Sequence, residues 1–444
     1  MTWSWKAGLL VAVGLIPVVL LPSTGVAWAW IFAVLALCCI DAFAAASPRD
    51  LSIERRVEGP IRADETTDSV VRVANPTSRS LRVDVRDAWP PSLRQSPSRH
   101  RLNMGPGDHA TATTRLAPMR RGTRRADYVT LRVWGPMGLG ARQVSIRADL
   151  SLSVLPEFRS RRLLPSRLAR LNELEGTTAT VLRGPGTEFD SLREYVRGDD
   201  PRDIDWKASA RSKDLVVRTW RPERDRRVVI VLDSGRLGAA LLGRPDEGDD
   251  ADRIAIGSAP RLDSGIEAAL LLGALANRAG DQTHLLAIDR QVRARVSGVR
   301  GDAFLEAAAQ ALSEVSASSE PIDWSLVVAE VSRTVRHPSL VVLATPVPPA
   351  GSDPEFLDAV AQLKARHTVM VASAQDPDIV RSLYSGQDAD SVFRSAAAAR
   401  SIAEDEAGRR DAERAGALVV SADAGLLPAR TADAYLELKK AGRL

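Results

Sequence analysis

Cysteine is almost absent from this chain of 444 residues: there are two, Cys38 and Cys39, side by side in an apolar run. Adjacent thiols there can neither staple a fold nor supply an aqueous active site. They read as small apolar residues of a membrane helix, with reversible palmitoylation as the alternative. Histidine is also scarce, and His100, His109, His284, His337 and His367 fall at no metal-ligand spacing, which argues against a zinc site. No glycine-rich loop ends in Gly-Lys-Ser/Thr and no serine sits in a nucleophile elbow, so neither a P-loop ATPase nor an esterase-type centre is indicated. A one-sided charge is missing too. Sixty Lys and Arg stand against 56 Asp and Glu, too even a balance for a concentrated nucleic-acid footprint, and nucleic acid is not expected as a partner.

What is present suffices for two or three domains, with 45% hydrophobic residues to build their cores. Ala7 to Leu21 is uncharged and apolar, preceded by Trp3, Trp5 and Lys6. A second apolar run extends from Val26 to Ala46 with Asp41 near its far end, and only Pro22-Ser23-Thr24-Gly25 separates the two. At about 1.5 Å per residue the second run can cross a hydrocarbon core of roughly 30 Å, while the first is marginal. A transmembrane helical hairpin over residues 1–48 is the expectation. A secretory signal peptide competes with it, because Lys6, an apolar core and Ala27-Trp28-Ala29 imitate its three regions. Lys6 precedes the hairpin and Arg49, Arg55, Arg56 and Arg62 follow it, whereas the connecting turn carries no positive charge. That places both ends, and the soluble domains, on the cytoplasmic side of a plasma membrane crossed more than once.

Residues 49–156 alternate in short segments such as Ser69-Val70-Val71-Arg72-Val73 and Leu81-Arg82-Val83-Asp84-Val85. Asn75-Pro76, Gly105-Pro106-Gly107, Arg120-Arg121-Gly122 and Trp134-Gly135-Pro136-Met137-Gly138-Leu139 punctuate them as turns. This pattern predicts an antiparallel β-sandwich. Its clustered arginines read first as solvated strand faces and second as contacts for anionic lipid headgroups. From residue 227 to 444 the rhythm changes to continuous apolar strands (Val228 to Leu232, His284 to Ile288, Ser339 to Ala344, Thr368 to Ala372, Leu418 to Ser421). Helical patterns alternate with them, at Leu262 to Ala279, Phe304 to Leu312, Trp324 to Val335 and Phe356 to Arg366. Such alternation predicts an α/β domain with a parallel sheet covered on both faces, and Asp233 then lies on the strand C-terminal rim where ligands bind.

Between these regions, residues 157–226 contain Gly184-Pro185-Gly186-Thr187-Glu188-Phe189-Asp190-Ser191-Leu192-Arg193-Glu194-Tyr195-Val196-Arg197-Gly198-Asp199-Asp200-Pro201-Arg202-Asp203-Ile204-Asp205-Trp206-Lys207-Ala208-Ser209-Ala210-Arg211. Charges of both signs are interleaved, with Phe189, Tyr195, Ile204 and Trp206 as aromatic and aliphatic anchors expected to pack against the following strand. Three readings stand, in this order: a salt-bridge and aromatic clamp between domains; a partner-docking surface; and a divalent-metal site for hydrolysis or transfer built on Asp199, Asp200, Asp203 and Asp205. The segment strongly resembles the signature of the bacterial family known as domain of unknown function 58. The apolar hairpin, the Pro-Met-Gly-Leu turn and the Tyr435-Leu436-Glu437-Leu438-Lys439 ending agree with that family. The resemblance implies a multidomain layout ending in a von Willebrand A-like (Rossmann-type) α/β domain, and association with MoxR-type AAA+ ATPases in chaperone-like assembly.

Domains of the A-like kind often hold a divalent cation through an Asp-x-Ser-x-Ser loop after the first strand, completed by a Thr and an Asp from two other loops. Here that loop reads Asp233-Ser234-Gly235-Arg236-Leu237, with Gly235 and Leu237 at the serine positions. Thr345-Pro346 stands where an acid is usual, and Pro321-Ile322-Asp323-Trp324 offers no threonine. The reading is therefore no cofactor, with Mg²⁺ at Asp233 as the disfavoured exception. Asp233, helped by Ser234, is expected to cap a helix or pair with an arginine, and Asp263 and Asp289 to serve as loop or cap residues. The function read from the sequence is a non-enzymatic, membrane-anchored adaptor that docks a partner through Asp233, Ser234, Arg236, Glu188, Arg193, Asp199, Asp200, Arg202, Asp205, Trp206 and Arg211. A metal-dependent hydrolase on the acidic segment and a purely structural envelope protein are the alternatives, and the oligomeric state is left open.

Overall fold

A computed structural model describes residues 2–21, 23–63, 65–178, 188–196, 199–211, 214–221, 226–242, 261–384 and 388–444. The chain divides into two compact units, Met1–Glu157 and Phe158–Leu444.

The first unit begins with helices over Trp5–Val13, Leu15–Leu20 and Thr24–Ala44. The first apolar run breaks at Gly14, where the Trp30 indole occupies the space a Cβ would need, and Pro17 can donate no backbone hydrogen bond to continue the turn. Trp30 Nε1 donates to the Leu10 carbonyl at 3.0 Å, fastening the two apolar stretches together. Of the two stretches expected to cross a membrane, only the second forms a helix long and apolar enough to do so; Trp5–Leu20 is shorter.

Two sheets follow. The larger runs in the order Thr2–Trp3, Gly140–Leu155, Gly122–Trp134, Leu81–Asp87, His100–Met104, with Ile61–Arg62 paired to Gly140–Leu155; the smaller joins Ser52–Val57, Thr67–Ala74 and His109–Leu116. Strict alternation in Leu81–Asp87 turns Leu81, Val83 and Val85 inward. There they share one core with Val71, Val73 and Ala112 of the smaller sheet. The Arg55 side chain is buried in an ion pair with Asp87, donates to the Ala126 carbonyl at 2.8 Å and lies 4.5 Å from the centre of the Trp89 ring.

One carboxylate joins the apolar helix to this unit. Asp41, one turn before the helix ends and 1% exposed, accepts the Met137 N–H (2.8 Å) through one oxygen and the Leu139 (2.7 Å) and Gly140 (2.9 Å) N–H groups through the other. The turn comes this close because it carries glycine: a Cβ on Gly135 would collide with Asp41, and one on Gly140 with the Cys38 carbonyl. Thr2–Trp3 pairs with Ala141 and Gly140 of the same strand, so the start of the helical segment and its far end lie together.

In the second unit we number the sheet strands β1 (Arg227–Asp233), β2 (Gln282–Ile288), β3 (Val292–Val296), β4 (Leu340–Ala344), β5 (Thr368–Gln375) and β6 (Leu418–Asp423). The helices are α1 (Arg261–Arg278), α2 (Asp302–Ser313), α3 (Trp324–Thr334), α4 (Pro354–Lys364), α5 (Ala389–Arg414) and α6 (Leu427–Lys440). The sheet order is β3-β2-β1-β4-β5-β6, parallel except for β3 at the edge. This is a doubly wound α/β sheet whose strand order reverses between β1 and β4. Val229 and Val231 pack with α3 and α4 on one face, while Leu232 faces Gly265 of α1 on the other. Burial on both faces explains why β1 reads as an unbroken apolar run.

The ending that resembled the family has a structural task. Tyr435 and Lys439 lie one turn apart on α6 and converge on Asp281, just before β2: Tyr435 Oη donates at 2.5 Å and Lys439 Nζ at 3.2 Å, with all three side chains buried. Arg167, within the helix Leu164–Thr178, likewise pairs with Asp433 of α6 at 3.2 Å.

Two predictions follow from these carboxylates. Asp281→Ala leaves a buried ammonium without its counter-charge and should destabilise the second unit by about 3–5 kcal/mol. Denaturant-dependent hydrogen exchange of the β1–β5 amides measures this; a loss of under about 1 kcal/mol would sink the assignment. Asp41→Ala orphans three N–H groups and should speed amide exchange at Met137, Leu139 and Gly140 on the order of 100-fold. Unchanged protection there would mean that the turn holds without the carboxylate.

Candidate functional site

Asp233 closes β1 at the reversal point of the sheet and is 3% exposed. Its Oδ1 accepts the Gly235 N–H at 2.8 Å and its Oδ2 accepts the Thr345 hydroxyl at 2.7 Å. The expected helix cap is thus replaced by a tight turn on itself and a cross-strand hydroxyl from the residue after β4. Burial holds the Asp233 carboxyl above the ordinary carboxylate range; the Thr345 and Gly235 hydrogen bonds and the Arg261 charge pull against it. Ser234 is fully buried, and its hydroxyl finds no partner among the described residues. Gly235, where the metal pattern wants serine, sits so close to Ile322 and Glu320 that a side chain would displace their backbone. Asp289 after β2 is also engaged, with the Gln291 N–H at 3.0 Å and the Arg293 guanidinium at 2.7 Å. Asp263 lies in the first turn of α1. Among the described residues no group of three His, Cys, Asp or Glu side chains is placed to hold a metal ion.

Beside this rim opens a cleft of about 1190 Å³, bounded by Arg236, Arg261, Arg290, Asp353, Asp376 and Asp405 among others. Burial pushes the Arg261 guanidinium below its ordinary range and the Asp405 carboxyl above it, the two charges partly offsetting each other.

The acidic signature segment builds a separate two-stranded ribbon, Glu188–Glu194 against Val216–Arg221. Gly184 to Thr187, Arg197 and Gly198 lie outside the described residues, and so do the side chains of Glu188 and Phe189. Within the ribbon the acids are structural. Arg193 grips Asp199 with two hydrogen bonds (2.8 and 2.6 Å), and Asp199 also accepts the Val196 N–H at 2.9 Å. Asp200 accepts the Arg202 N–H at 2.9 Å and so opens the short helical turn Pro201–Asp203. Asp205 caps Trp206–Ser209 through the Lys207 (3.0 Å) and Ala208 (2.9 Å) N–H groups, and pairs with Arg218 at 2.9 Å. The Ala208 bond and Arg218 together hold the Asp205 carboxyl below its usual range. Trp206, expected as a packed anchor, is instead 68% exposed at the start of a helix of one turn, with no second layer over it among the described residues. Arg202, Lys207 and Arg211 are exposed as well.

A family model, Protein of unknown function DUF58, matches residues 191–240. That stretch takes in most of the ribbon, β1 and the Asp233 loop. No curated protein matches the chain. Among solved structures, the SpRpn10 VWA domain is 11% identical and covers 46% of this chain and 93% of its own, with a TM-score of 0.27. The ASH/PapD-like domain of human CEP192 is 14% identical over 25% of this chain and 89% of its own, at 0.18. The FixG-related protein from Vibrio parahaemolyticus is 6% identical over 24% and 96%, at 0.19. Scores this low carry no argument; the α/β fold stands on its strand order.

A carboxyl raised in the folded state alone subtracts stability once it ionises. The Asp233 contribution to the stability of the second unit should therefore fall as pH rises from about 4, where unfolded aspartate titrates, through the raised Asp233 value. Asp233→Asn should flatten that fall and Thr345→Val should move it to higher pH. Urea midpoints measured across this range provide the check, and parallel curves for wild type and Asp233→Asn would refute the assignment.

Proposed function

We propose that this protein is a membrane-anchored adaptor that binds a partner and does not catalyse, and that its partner is a MoxR-type AAA+ ATPase engaged in chaperone-like assembly or envelope maintenance. The observation that carries this reading is the fate of the acids: Asp199, Asp200, Asp205 and Asp233 each face an N–H, a hydroxyl or an arginine of this chain. A hydrolase on the acidic segment would need them converging on an open space. Among the residues the segment leaves outward are Trp206, Arg202 and Arg211, of the types that dominate binding hot spots, and Lys207, whose charge can steer encounter. The ATPase as partner rests on the family resemblance carried by residues 191–240.

For the anchor we infer two crossings. The start and end of the helical segment meet at Gly140 and Ala141, which supports an out-and-back path, and the positive charges flanking it favour the cytoplasmic side for the soluble parts.

The test is a mild-detergent pulldown of the full chain with purified MoxR-type ATPase, with and without Mg²⁺ and ATP. Trp206→Ala, which removes an exposed side chain, should weaken capture by about 2 kcal/mol or more, and Lys207→Glu should make the remaining capture less salt-sensitive. Absence of ATPase under every condition, or capture indifferent to Trp206, would overturn the reading.

A further inference from the structure

A groove of about 810 Å³ opens where the apolar helix meets the β-strands of the first unit. Its walls include Ala44 to Ala46 at the helix end, Arg79 just before the strand Leu81–Asp87 and Arg82 within it, and Trp134 and Pro136 of the turn that grips Asp41. Its depth follows from the anchor reading, on which this inference rests. Thr24–Ala44 has 21 residues, about 31 Å of helix, so Ala44 reaches the level where acyl chains give way to headgroups. Bonding puts other residues at the same level: Trp3 pairs with Gly140, and Met137 donates to Asp41. Trp3, Trp5 and Met137 are 45%, 75% and 53% exposed, and indole rings favour that depth.

The charges around the groove are unequally matched. Asp84 takes the Trp134 Nε1–H (2.8 Å) and Arg101 (3.2 Å); Asp108 takes the Gly105 N–H (2.9 Å); Asp41 lies under the turn with three donors. The arginines are in surplus. Arg82 donates through Nη2 alone, to the carbonyls of Gly135 (3.0 Å) and Pro136 (2.6 Å), which fixes the guanidinium on the turn with its other donors uncommitted among the described residues. Arg79 is exposed, and its guanidinium meets no partner among the described residues.

We propose that this groove binds the phosphate of an anionic phospholipid headgroup, with Arg79 and Arg82 as its contacts. A planar guanidinium suits two phosphate oxygens, and two cations lining one groove at a helix end form a basic pocket of the kind that selects anionic lipid.

The experiment is native mass spectrometry of the full-length protein in detergent, titrated with short-chain phosphatidylglycerol or phosphatidylcholine. Phosphatidylglycerol should be retained preferentially. Arg79→Glu should weaken it by about fivefold or more and Arg79→Lys by less, on the basis of about 1 kcal/mol per cation near an anionic surface. Equal retention of the two lipids, or indifference to Arg79→Glu, overturns the site; displacement of the lipid by inorganic phosphate at matched concentration overturns the lipid as its ligand. Arg82→Lys supplies a second variant that keeps the charge while losing the fork, and it should weaken phosphatidylglycerol without affecting phosphatidylcholine. Flotation of the wild type with phosphatidylcholine vesicles tests the anchor separately: failure to float overturns the membrane reading, whereas floating with equal lipid retention overturns the groove alone.

Discussion

A single buried carboxylate decides how the first unit is put together. Asp41 sits in an otherwise apolar helix, where an unpaired charge would be very costly, and three N–H groups of one turn make its burial tolerable. The same turn borders the strand that receives Thr2–Trp3. Helix end, chain start and sheet edge are therefore held at one point. The glycines of the turn are needed because the backbones approach more closely than any side chain permits.

The second unit uses its acids in the same manner. Asp281 receives a tyrosine and a lysine from α6, Asp233 receives a threonine from beyond β4, and the aspartates of the ribbon cap turns and grip arginines. Asp199, Asp200 and Asp205, neighbours in sequence, each meet a separate local partner. The side chains left exposed between them include Trp206 and the neighbouring cations.

Much of the α/β unit was legible, since strands buried on both faces leave continuous apolar runs such as Val228 to Leu232 and Ser339 to Ala344. The edge strand β3 was not, because Arg293 and Arg295 alternate along its exposed side and disguise it as a charged loop. Helix α5 was missed for a related reason: Ala, Arg and Glu line most of its 26 residues and leave no apolar stripe. At the candidate site the Asp233 position was readable, but Thr345 was passed over because an acid was sought there. The partnership between Asp41 and the Trp134–Leu139 turn left no trace, as 96 residues of chain separate Asp41 from Met137. Trp206 was misjudged because an aromatic beside a strand pattern normally packs, whereas here the helix it begins is too short to have an inside.

The ribbon's contacts close over short stretches of chain: Arg193 to Asp199 spans six residues and Asp205 to Arg218 thirteen. Contacts of such short span need none of the long-range pairing that the parallel sheet requires. The segment's strand pairing is thus settled between Glu188 and Arg221, apart from the strands of the parallel sheet.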